Sequence, residues 1–183
     1  MAFRPPKAEL GIKAKDFSLP STDGKIVGFN DVMGENGLVV VFICNHCPYV
    51  KAITGRLVGD AKTLRAQGIG FVAICSNDAS SHPEDSFENM AIFASESGFD
   101  FPYLHDENQQ VARAYDAVCT PDFFGINRDG LIQYRGRMDN GRMSQPSPQA
   151  RRDLVLAMEE IAATGKGPLE QIASAGCSIK WKN

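Results

Sequence analysis

Cysteine supplies the chemistry this chain is equipped for. Cys44 and Cys47 are spaced C-x-x-C, and three more cysteines stand at positions 75, 119 and 177. The run Leu38-Val39-Val40-Val41-Phe42-Ile43 precedes the pair, apolar throughout and of the length expected for a buried strand. Pro48 follows Cys47 directly, and proline favours the first turn of a helix. A thiol at such a corner meets the positive end of the helix dipole, which favours thiolate over thiol. Thiolates attack disulfides and are oxidised by peroxides, so sulfur chemistry is the expectation here.

The other candidates are weighed against that corner. Cys75 ends the apolar run 69–75 and is expected to fill space in the core. Cys44, Cys47 and His46 offer zinc ligands, yet no second C-x-x-C or H-x-x-H completes a set, so no metal is expected. No organic cofactor is implied either. His82 and His105 sit beside expected helix starts, as caps or solvent-facing groups. Arg135 and Arg137 close a hairpin and are candidates for holding a thiolate or anion, although strand arginines are more often solvated.

Alternating elements must position the corner. Residues 17–20 and 26–29 read as a hairpin about Thr22-Asp23-Gly24-Lys25, and 31–36 as a connection with a helical turn. After the strand at 38–43, Val50, Ile53, Leu57, Ala61 and Leu64 form the apolar stripe of a helix over 48–66. A second buried strand follows at 69–75, then a helix over 80–96 opened by Ser80, Pro83 and Glu84. An extended stretch at 101–104, a helix at 106–116 and a hairpin of 123–126 with 131–136 come next. A polar loop at 138–148 leads to a last helix at 149–164, and the tail carries Cys177. This order predicts a three-layer α/β domain with a mixed central sheet flanked by helices and an N-terminal β-hairpin, one domain over residues 1–183.

Composition narrows the function classes. The formal net charge of −3 gives no reason to expect nucleic acid or a polybasic membrane patch. No apolar run approaches the roughly 20 residues of a membrane helix, and residues 1–15 lack the apolar core of a signal peptide, so a cytoplasmic location is expected. Five cysteines, an odd number in a chain of 183, do not suggest a secreted disulfide scaffold. Composition leaves the oligomeric state open.

The sequence resembles the thioredoxin-like superfamily, and within it the AhpC/TSA-type, peroxiredoxin-like branch. Phe17-Ser18-Leu19-Pro20 with Asp23-Gly24-Lys25, the 39–51 corner, Thr120-Pro121 and Arg128-Asp129-Gly130 carry the resemblance over nearly the whole chain. Counted from Phe42, the family nucleophile five residues on is Cys47, and the lysine after the family's second cysteine falls on Lys51. His46 then takes the tryptophan place, Pro48 and Tyr49 the two central places, and Val50 that of the second cysteine. The C-x-x-C is out of the usual register, with Cys44 approaching from the strand side. Cys47-Pro48 also resembles the peroxidatic cysteine-proline pair of peroxiredoxins, but their threonine three residues earlier is Cys44 here.

The resemblance implies a cis Pro121 facing the cysteine, with Thr120, Pro121, His46 and Pro48 contacting substrate. It implies a thiol–disulfide oxidoreductase in which Cys47 is the nucleophile and Cys44 or Cys119 the resolving thiol, with Cys177 a further candidate. A peroxiredoxin-like peroxidase with peroxidatic Cys47, and a non-catalytic redox-sensing or protein-binding module, are the alternatives. The partners implied are a thiol or disulfide protein or a small-thiol reductant, and for the peroxidase a peroxide.

Overall fold

A computed structural model describes residues 2–6, 8–141, 143–144 and 150–182. Its central sheet has the order β5-β4-β3-β7-β8. The strand β3 (Gly37–Phe42) lies in the middle, fully buried along its length, as a continuous apolar run requires. It pairs in parallel with β4 (Ile69–Cys75), which pairs in parallel with β5 (Tyr103–His105). On its other side β3 runs antiparallel to β7 (Asp122–Ile126), and β7 antiparallel to β8 (Ile132–Gly136).

Alternation along β3 divides the core in two. Val39, Val41 and Ile43 face α2 (Pro48–Arg65), α3 (Phe87–Ser97) and α5 (Asp153–Thr164). Leu38, Val40 and Phe42 face the opposite side, where the hairpin of β1 (Ser18–Pro20) and β2 (Ile26–Gly28) packs with α1 (Phe29–Val32) and α4 (Gln110–Ala114). The mixed sheet with helices on its flanks and the N-terminal hairpin are therefore as expected. Among the described residues no helix is long and apolar enough to cross a membrane.

Several element boundaries differ from the pattern reading, each for a local reason. The third helix starts at Phe87 rather than 80, because Asp78 gathers the Ser80 and Ser81 hydroxyls into a turn and Pro83–Asp85 forms one 3-10 turn. Ser86 is the true cap, accepting the Asn89 N–H. The helix expected at 106–116 contracts to α4, because buried Asp106 stays outside it and accepts the N–H groups of Val111 and Ala112. The helical turn expected within 31–36 forms earlier, as α1, where Asp31 bonds back to the Gly28 N–H. Gln149 and residues 142 and 145–148 of the loop before it lie outside the described residues, and the last helix begins at Asp153. Two short strands escaped the reading: β6 (Cys119–Thr120) and β9 (Cys177–Ser178), which pair antiparallel with each other.

Leu57 is fully buried at the centre of the α2 stripe, whereas Ile92 on α3 is 54% exposed. Leu57→Ala is expected to cost about 3 kcal/mol in urea-unfolding free energy and Ile92→Ala less than about 1 kcal/mol.

Candidate active site

The strand β3 ends at Phe42, and the chain crosses residues 43–47 before Pro48 opens α2. Cys47 is the N-cap residue, extended at φ −63° and ψ 121°, with Pro48 at the first helical position where its missing N–H costs nothing. Cys47 is wholly buried (0% exposed) and Cys44 nearly so. Both sulfurs meet Thr120: Cys44 Sγ lies 3.4 Å from its hydroxyl, and the Cys47 thiol donates to its carbonyl oxygen at 3.3 Å. The Thr120-Pro121 peptide is cis.

A third sulfur completes the group. In the β6–β9 ladder Thr120 stands opposite Cys177, which packs half-buried against the cluster holding Cys44 and Cys47. The Cys47 thiol is brought down to about 4, first by a hydrogen bond from the Cys44 thiol. The Cys177 thiol and the backbone N–H groups of Val50 and Cys177 act in the same direction, and burial opposes them. The Cys44 thiol is driven far up, because it is the donor to Cys47 and is itself buried. Burial and the same contact raise Cys177 to about 11. These shifts favour ionisation at Cys47 over its two neighbours.

The other predicted residues fall into place around this centre or away from it. Cys119 is buried with its sulfur turned back to the Pro121 carbonyl at 3.9 Å, and burial with nearby Asp122 raises its thiol. Cys75 is buried at the end of β4 and pushed up to about 12 by burial. Neither Arg135 nor Arg137 is a free anion holder. Arg135 is buried against Asp122 (2.9 Å) and over the Phe124 ring, and Arg137 pairs with Asp153 at 2.7 Å. Beside Pro121 a cavity of about 380 Å³ opens between Tyr49, Ile53, Phe123, Met138 and Ala175.

Asp85 is the residue that pattern reading missed. Its fully buried carboxylate accepts the Asn45 N–H at 2.7 Å, the His46 N–H at 3.3 Å and Asn77 Nδ2 at 2.7 Å, and pairs with His46 Nδ1 at 2.6 Å. Asn45 is further held by the Glu84 carbonyl and the Tyr103 hydroxyl. The only sequence signal was an acid two places after Pro83, which reads as an ordinary first-turn helix residue. His46, with its side chain 24% exposed, stacks on His82 and reaches the surface beside the corner. Cys44, His46 and Asp85 bring potential metal ligands within 4.8 Å of one another. The Asp85 oxygens are already committed to four hydrogen-bond partners, so a cation would have to break the clamp that shapes the loop.

Removing this carboxylate leaves buried donors unpaired. Asp85→Ala is expected to lower urea-unfolding free energy by about 3 kcal/mol and Asp85→Asn by less, since the amide oxygen retains part of the bonding.

Comparison with known proteins bears on the family and the fold. A conserved protein of Geobacillus kaustophilus is 44% identical, superposes with a TM-score of 0.93 and is covered over 97% of its length by the whole of this chain. A hypothetical protein of Sinorhizobium meliloti 1021 is 35% identical with a TM-score of 0.89, over 98% of each chain. The thiol-disulfide oxidoreductase ResA of Bacillus subtilis is 27% identical over 124 residues, 67% of this chain and 64% of that protein's length. Peroxiredoxin Bcp of Escherichia coli is 26% identical over 118 residues, 64% of this chain and 70% of that protein. A model of the AhpC/TSA family matches residues 10–135, which takes in the Cys44–Cys47 corner and Thr120-Pro121, and the chain belongs to that family.

Proposed function

We propose that the chain is a thiol–disulfide oxidoreductase with Cys47 as its nucleophile. The observation that carries this reading is the placing of Cys47 at the start of α2, against the cis Thr120-Pro121 peptide and beside Cys44 and Cys177, where its thiol is shifted well below the ordinary value. A thiolate at low pKa attacks a substrate sulfur and also leaves well when a second thiol displaces it. Cys47 forms a mixed disulfide with one half of the substrate and releases the other half as a thiol. A second thiol of this chain then attacks Cys47, frees the remaining half and leaves an intramolecular disulfide. A dithiol reductant, protein or small molecule, supplies two electrons and one proton and so returns Cys47 to the thiolate and the second cysteine to the thiol. Pro48 and His46 reach the surface beside buried Thr120 and Pro121, and the cavity beside Pro121 gives a substrate room. We place the protein in a reducing compartment, the cytoplasm, where such a reductant is abundant.

The peroxidase reading draws support from the relationship to peroxiredoxin Bcp. Against it, Cys44 occupies the position of the peroxidase threonine. The hairpin arginines Arg135 and Arg137 are spent on Asp122 and Asp153.

Cys47→Ser is expected to lower disulfide-reductase turnover by roughly 100-fold or more, while Cys75→Ser stays within about twofold of wild type. Peroxide consumption measured by stopped flow is expected to be no faster than that of free cysteine at the same pH. Wild-type disulfide turnover in Cys47→Ser would refute the assignment, and rapid peroxide reduction by the wild type would turn it toward the peroxidase.

A further inference from the structure

The tail around Cys177 is seated where a substrate peptide would have to lie. Thr120 pairs with Cys177 and Cys119 with Ser178, so β9 occupies the edge of the residue that contacts both Cys44 and Cys47. On its other side Gly176 exchanges two backbone hydrogen bonds with Phe3, at 2.8 and 3.1 Å. The strap is anchored beyond the site as well. The Ile179 N–H bonds the Val118 carbonyl, the Lys180 N–H bonds Asn77, and the Lys180 carbonyl accepts from the Asp78 N–H and Gln109 Nε2. Ser174 is held before it, its hydroxyl donating to the Gly136 carbonyl.

The seat is also tight. A Cβ built on Gly176 would stand 1.9 Å from the Thr120 carbonyl oxygen, so only glycine allows the strap this approach. The cysteine that follows is therefore delivered to Cys47 by backbone pairing rather than by chance contact. Of the candidate resolving thiols, Cys44 and Cys119 are buried, while Cys177 is half-buried. The strap lies outside residues 10–135, the stretch that the family model matches.

We propose that the strap formed by residues 176–178 is a built-in substrate of the Cys47 centre, and that Cys177 is the thiol that closes the catalytic disulfide. This rests on the assignment of Cys47 as nucleophile and names its partner. In the first step the Cys47 thiolate attacks a disulfide R–S–S–R′, the S–S bond breaks, and R′–S⁻ leaves and takes a proton. The strap is displaced while the substrate lies on Thr120. In the second step Cys177, giving up its proton, attacks Cys47 of the mixed disulfide. The Cys47–Cys177 bond forms, the Cys47–S–R bond breaks, and R–S⁻ leaves and takes the proton. The substrate has gained two electrons and two protons; the chain has lost the two electrons and the Cys177 proton, and the other proton comes from solvent. A dithiol reductant reverses the loss. Because Cys177 already lies in register with Thr120, a protein disulfide competes with the strap for one edge, and extended peptides with a small residue before the cysteine fit it best.

The test uses oxidised glutathione as the disulfide and the whole chain, reduced beforehand. Non-reducing digestion and mass mapping are expected to find Cys47 joined to Cys177 in the wild type and in Cys44→Ser. In Cys177→Ser the Cys47–glutathione mixed disulfide is expected to persist, resolving roughly tenfold or more slowly than in the wild type. Gly176→Val keeps all five thiols but cannot seat the strap. It is expected to lower the yield of the Cys47–Cys177 bond and to speed alkylation of Cys47. A Cys44–Cys47 or Cys47–Cys119 product, or unchanged resolution in Cys177→Ser, would overturn the proposal while leaving Cys47 as nucleophile. If no variant forms a mixed disulfide at Cys47, the nucleophile assignment fails and this proposal with it.

Discussion

A sulfur with no exposure to solvent can be an anion only if the protein itself supplies the hydrogen-bond donors that water would have given. Cys47 stands under that constraint, and most of what surrounds it answers it. The thiols of Cys44 and Cys177 and the N–H of Val50 lower the Cys47 thiol, and each of the two neighbouring thiols is harder to ionise as a result. Of the three sulfurs Cys47 is the one favoured to ionise first.

Three parts of the chain remote in sequence must converge for this to happen. The corner 43–47 is shaped by buried Asp85 and by Tyr103, which fix Asn45 and His46 and so the direction of both sulfurs. The antiparallel pairing of β3 with β7 brings Asp122 opposite Phe42, and thereby sets Thr120 and Pro121 against the corner. The tail then returns to pair with Thr120. The sheet supplies rigidity and the loops supply the reacting groups, a division seen wherever chemistry sits on connecting segments.

Much of this was legible before any coordinates. The unbroken apolar run before Cys44 and the proline after Cys47 are local signals, so the strand, the helix and the corner between them could be read directly. Counting from Phe42 picked out Cys47 from the C-x-x-C pair, and the Thr120-Pro121 pair pointed to the facing loop. What was not legible is contact over long sequence distance. Asp85 looks like a helix-start acid, and nothing local says that it is fully buried 40 residues from the loop it clamps. Cys177 sits in a polar tail with no strand periodicity, and its two-residue pairing with Cys119 and Thr120 leaves no pattern to find. The hairpin arginines were misleading for the same reason, since Asp122 and Asp153 are their partners only in the folded chain.

The account depends on Cys47 being the anionic sulfur of the reduced protein. The ultraviolet absorbance of the thiolate, followed against pH in the wild type and in Cys47→Ser, tests this most directly. Because the Cys47 pKa lies below its ordinary value of 9.0, the thiolate is present in alkali, persists through neutrality and is lost only as pH falls through about 4. One thiolate per chain that survives below neutrality and is missing from Cys47→Ser is the predicted result. A wild-type protein whose first thiolate forms only near the ordinary cysteine value, or an acid-stable thiolate that remains in Cys47→Ser, would contradict the account.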